Sequence, residues 1–193
     1  MNRTRSRALT LTTTPLALGL ALGLATALAA APAHASSTTK KDPVGDHVTG
    51  SANLDLAKVQ LRTRGKQKVR ITFGLHHDVT TDDLARPGAM GVSFHTQKKR
   101  LRSVEISARD GAYEGRICTY DMREEELPPA TNCSSVPVTA VDARTFRAEV
   151  RLKKVKKGAK VLRWSASAFS LASGSPAVDP LGRGFDKPFT WRL

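Results

Sequence analysis

Ala57-Lys58-Val59-Gln60-Leu61-Arg62-Thr63 and Lys68-Val69-Arg70-Ile71-Thr72-Phe73-Gly74-Leu75, joined by Arg64-Gly65-Lys66-Gln67, set the architecture of this chain. In both runs apolar residues alternate with charged or polar ones. Successive side chains of a strand point to opposite faces, so each run has one face for a core and one for water. Two such runs around a short Gly-containing turn make a β-hairpin. Lys58, Arg62, Lys68 and Arg70 then line its wet face.

The same alternation recurs outward from the hairpin. Residues 78–89, with their Asp, Pro and Gly, read as a longer loop, and strands are expected at Gly91–Thr96, Ser103–Arg109, Tyr113–Tyr120, Ser135–Val141, Thr145–Leu152, Lys160–Ser170 and Phe189–Leu193. Leu162, Trp164, Ala166 and Ala168 are in phase, which places Trp164 in a core. Trp191 fits a core or a surface, and Tyr113 and Tyr120 fall on opposite faces of one strand. No segment after the first 35 residues keeps a 3.6-residue period over helical length; residues 121–127 allow one helical turn. Many short strands between Gly, Pro and Asp loops predict an all-β fold: a single antiparallel β-sandwich, jelly-roll or immunoglobulin-like.

The N-terminus reads differently. Arg3, Arg5 and Arg7 precede an uncharged apolar run, Leu16–Ala31, which closes on Ala33-His34-Ala35. That order is the pattern of a secretory signal peptide over residues 1–35, with cleavage after Ala35. Residues 36–43 read as a flexible leader, and residues 44–193 as the sandwich domain. No later apolar stretch reaches the roughly 18 residues of a membrane span, so the expected product is secreted, without a span, and monomeric. In an oxidising compartment two cysteines read as one disulfide, Cys118–Cys133. Closing a loop of about 15 residues stabilises a fold by roughly 3 kcal/mol in the chain-entropy model.

Net charge narrows the partners. The chain carries 31 Lys and Arg against 17 Asp and Glu, a formal +14. The first 35 residues hold three of those basic groups and no acid, which leaves about +11 on the remainder. Such a charge favours polyanions through attraction that salt weakens, and it also keeps a small domain soluble. Besides the hairpin face, Lys98, Lys99, Arg100 and Arg102 mark a turn, and Lys153, Lys154, Lys156, Lys157 and Lys160 crowd a loop around Gly158. Lysines on strands and turns also discourage edge-to-edge aggregation.

Few residues form a chemical constellation. In Asp42-Pro43-Val44-Gly45-Asp46 two carboxylates stand four apart around a Gly, a pattern that offers oxygen ligands to calcium and equally makes a turn. Asp179 and Asp186, in the Gly/Pro-rich region near the C-terminus, complete such a shell if the chain ends meet. His76-His77-Asp78 would need His47 or His95 beside it to hold a catalytic metal. Ser37-Thr38-Thr39-Lys40 matches Ser-x-x-Lys but lies in the leader, and Glu124–Glu126 have no located carboxylate partner for glycoside chemistry. Gly-x-Ser-x-Gly and His-Glu-x-x-His are absent. With two Trp and two Tyr, the chain is poor in rings for stacking sugars or single-stranded nucleic acid.

The Asp-Pro-x-Gly-Asp opening after a signal-like segment, Asp55-Leu56 before a basic hairpin, central paired cysteines and a late Asp179-Pro180 carry a resemblance. Over residues 42–193 the chain resembles secreted β-sandwich proteins of high-GC Gram-positive bacteria, similar in pattern to the DOMON and family-nine carbohydrate-binding-module sandwiches. The resemblance implies a sandwich, and ligands such as sugar, haem or a structural calcium. A Met/His haem ligand pair and an aromatic sugar platform are not found in the sequence. The resulting expectation is a non-catalytic module without a required cofactor, which adheres to an anionic cell-wall polymer through Lys58, Arg62, Lys68, Arg70, Lys153, Lys154, Lys156 and Lys157, with no specific nucleic-acid partner. The alternative is a polysaccharide- or small-ligand-binding sandwich with calcium at Asp42 and Asp46. A metal-dependent hydrolase built on His76 and His77 is the third.

Overall fold

Strands β2 (Leu56–Arg64) and β3 (Lys68–Leu75) pair antiparallel, with Leu61 opposite Ile71 and Val59 opposite Phe73. Gly65 turns the chain between them with a φ of 59°, which a residue with a side chain adopts at a cost. The computed structural model describes residues 35–46, 54–97, 100–122, 130–156, 159–170, 177–182 and 187–193. The segment up to His34, expected to be a signal peptide, lies outside them with His47, Lys98, Lys99, Glu124–Glu126, Lys157 and Asp186, as does the side chain of Lys156.

The remaining elements are β1 (Ser37–Lys41), β4 (Ala89–Gln97), β5 (Arg100–Arg109), β6 (Ala112–Asp121), β7 (Thr131–Val136), β8 (Val138–Asp142), β9 (Thr145–Arg151), α1 (Leu152–Lys156), β10 (Val161–Ser170), β11 (Ala177–Pro180) and β12 (Phe189–Arg192). They build two antiparallel sheets. One has the order β1-β2-β3-β9-β8; the other runs β11-β10-β4-β5-β6-β7, with β12 also on β10. Val59, Leu61, Ile71, Phe73, Phe146 and Ala148 of the first sheet share one buried cluster with Met90, Val92, Phe94, Val104, Ile106 and Trp164 of the second. The protein is therefore an antiparallel β-sandwich, and the Cys118–Cys133 disulfide joins β6 to β7.

Three expectations change. Residues 37–41 are not part of a flexible leader: they form edge strand β1, paired with β2 from Ser37 opposite Arg62 to Lys41 opposite Lys58. Backbone hydrogen bonds hold it, so its sequence needs no apolar residue to be a strand. The expected strand 135–141 is two strands broken at Pro137, which has no N–H for a ladder. The break lets the chain cross from β6 in one sheet to β9 in the other. Residues 152–156 form a helical turn rather than a loop, with Val155 fully buried beneath the lysines.

Candidate functional site: a basic sheet face and an acidic corner

Register decides which cations stand together on the outer face of the five-stranded sheet. Directly opposed residues of antiparallel strands share a face. Arg62 is opposite Arg70, which is opposite Glu149; Arg64 is opposite Lys68, which is opposite Arg151; and Lys41 is opposite Lys58. Gln60, Thr72 and Arg147 form the row between them. Eight basic side chains thus occupy one face: Lys41, Lys58, Arg62, Arg64, Lys68, Arg70, Arg147 and Arg151. Glu149 is the one acid in β1, β2, β3 and β9. It accepts hydrogen bonds from Arg70 Nε at 3.0 Å and Nη2 at 2.7 Å, and lies 3.6 Å from Lys68 Nζ. The Arg70 hydrogen bonds hold its carboxyl below the usual range, with the Arg70 and Lys68 charges adding to the effect. Lys58 lies across Gly74, where a Cβ would come within 3.0 Å of its Cγ and Cε.

The lysines of α1 adjoin this face. A recess of about 430 Å³ is lined by Lys68, Glu149, Arg151, Lys154 and residues 135–137. Lys154 Nζ donates to Ser134 Oγ at 2.6 Å, and the Arg102 guanidinium donates to the Lys154 carbonyl. Lys153 is exposed. The structure therefore brings Lys58, Arg62, Lys68 and Arg70 onto one surface and sets Lys154 at its margin. Sequence reading missed Lys41 because its segment read as a leader. Arg147 and Arg151 carried the right alternation, but nothing local says that β9 lies beside β3.

The second region is acidic and largely buried. Carboxylate oxygens of Asp42, Asp46 and Asp179 lie within 4.8 Å of one another, although Asp179 is distant in sequence. Asp42 follows β1, Asp179 lies in β11, and Asp46 is exposed. Asp42 is 7% exposed, Asp179 3% and neighbouring Asp55 1%. Asp179 Oδ2 accepts from Leu56 N at 2.5 Å, and Asp55 Oδ2 from Gly45 N at 2.8 Å. Neither carboxylate oxygen of Asp42 meets a well-aligned donor, nor does Asp55 Oδ1. Burial pushes the Asp42 carboxyl up to about 7, with repulsion from Asp179, Asp46 and Asp55 adding to it. The Gly182 N–H opposes the shift from nearby without a well-aligned bond.

His76 and His77 flank this corner. His76 Nε2 is 3.2 Å from the Asp42 carbonyl oxygen, and His77 Nε2 is 3.9 Å from Asp55 Oδ2. His95 instead bonds Ser165 Oγ at 3.2 Å, and burial lowers its pKa. Among the described residues no histidine joins a group of three potential metal ligands. Trp164 and Trp191 are both buried, and Trp191 Nε1 donates to Ser36 Oγ at 2.8 Å, so neither serves as a stacking platform for sugar. Comparison with protein-family models, with curated proteins and with solved structures finds no match to this chain.

Proposed function

We propose that the protein, once exported, is a non-catalytic module that adheres to an anionic polymer of the cell envelope through the outer face of its five-stranded sheet. One observation carries this reading: on one face of β1, β2, β3 and β9 eight cations stand with Glu149 as the one acid, while Asp142 of edge strand β8 lies opposite Thr145. Fixed strands hold the charges in rows, so a polyanion lying across the sheet meets several at once and releases its own counterions. Gln60, Thr72 and Thr39 supply hydrogen-bonding groups among them. The recess beside Lys68, Arg151 and Lys154 offers a place for one phosphate or carboxylate group.

Retention of the purified protein on isolated anionic wall polymer and on a neutral polysaccharide, across a salt series, tests the proposal. The expected result is retention on the anionic material alone, falling steeply as salt rises. Salt-insensitive retention on the neutral polysaccharide, or no retention on either, overturns it.

A further inference from the structure

Three carboxylate groups drawn from two sheets converge at the acidic corner, and one of them, Asp42, is buried with no aligned donor to either oxygen. Asp55 faces the corner and adds negative charge, and His76 and His77 lie beside it, His76 approaching a backbone carbonyl. Buried charge without a partner costs several kcal/mol per ion. Asp42 makes the point alone, being more than nine-tenths buried with two oxygens that lack an aligned donor. Its oxygen nevertheless points toward those of Asp46 and Asp179.

We propose that Asp42, Asp46 and Asp179 bind a calcium ion that ties the end of β1 to β11. The donors are all hard oxygens, which select calcium or magnesium over zinc or copper. Calcium accepts flexible oxygen geometry at bonds of about 2.4 Å, compatible with oxygens that lie within 4.8 Å of one another, whereas magnesium demands a near-ideal octahedron and keeps several waters. The placement gives the ion a mechanical role. β1 and β11 are the edge strands of different sheets, so a shared ion clips the two sheets together along one side. Pro43, Val44 and Gly45 bend the chain between the first two ligands, with Gly45 at a φ of 76°. Asp55 fastens that bend by accepting from Gly45 N. Leu56 N on Asp179 Oδ2 orients the third ligand. This site is separate from the basic face, and its test does not depend on polymer binding.

The experiment is calcium titration by calorimetry of the purified protein, freed of metal by a chelator, with thermal melting at matched ionic strength. Calcium is expected to bind saturably and to raise the melting temperature by several degrees, with magnesium giving a smaller shift. Asp179→Asn should weaken calcium binding by on the order of tenfold or more. Because that residue is buried, the exposed Asp46→Asn provides a second variant that leaves the core untouched, and it should also weaken binding. No saturable binding at millimolar calcium, an equal response to magnesium, or wild-type affinity in both variants overturns the proposal.

Discussion

The basic sheet face and the acidic corner are both clusters of like charge, yet they stand in opposite relations to water. On the sheet face the charged groups reach solvent, where screening reduces their mutual repulsion to little, and Glu149 offsets part of it. At the corner Asp42, Asp55 and Asp179 are each more than nine-tenths buried, and burial drives the Asp42 carboxyl toward its neutral form. The difference teaches that charge density alone does not mark a site. An exposed cluster is inexpensive to keep and available to a large partner, whereas burying charges of one sign together costs folding free energy unless something of the opposite sign offsets them.

The largest effect is expected on titrating the metal-free protein. The Asp42 carboxyl is raised from 3.8 to about 7, so the folded protein holds this proton more tightly than the unfolded chain. Its contribution to stability is therefore full below pH 3.8 and is lost as pH rises through about 7. The size is of order a few kcal/mol, visible as the difference between wild type and Asp42→Asn in denaturant melts from pH 4 to 8. Saturating calcium should suppress that difference in pH dependence. If wild type and Asp42→Asn vary identically with pH without metal, the corner is not the strained cluster described.

Next in size is Asp55→Ala, which removes the buried carboxylate that accepts from the exposed Gly45 N–H and fastens the bend after β1. A loss of about 2 kcal/mol is expected in urea melts. Lys58→Ala and Arg62→Ala, on the exposed face, should each change stability by no more than about 0.5 kcal/mol. The smallest effect is expected on the basic face. Glu149→Gln removes the only acid among β1, β2, β3 and β9 and releases Arg70 and Lys68. Stability should fall by less than about 1 kcal/mol, while retention on anionic polymer at low salt should tighten. Weaker retention would mean that Glu149 positions the basic side chains rather than opposing them.

How much of this was legible depended on whether the signal was local. The β2–β3 hairpin was legible because a buried face leaves an apolar residue at alternate positions, from Val59 and Leu61 to Val69, Ile71 and Phe73. β1 was not, since Ser37-Thr38-Thr39-Lys40-Lys41 contains no apolar residue to alternate. β11, four residues long beside a Gly/Pro-rich stretch, offered too short a period. The Pro137 break was visible as a residue, but that it switches sheets is a property of the whole topology. Of the acidic corner, Asp42 and Asp46 carried a local pattern, and Asp179 depended on the chain ends meeting. The burial of Asp55 left no sequence mark, because an Asp before a strand reads first as turn chemistry.

The most direct test of the basic face is the slope of log affinity against log salt for the anionic wall polymer, compared between wild type and an Arg62→Ala/Arg147→Ala variant. Both residues lie on the outer face, and neither is paired with Glu149 in the register that holds Arg70. The account predicts that the slope falls in magnitude by roughly one for each cation lost, with the fold unchanged. An unchanged slope and affinity in that variant would contradict it, and would mean that the outer face of the five-stranded sheet is not where the polymer binds.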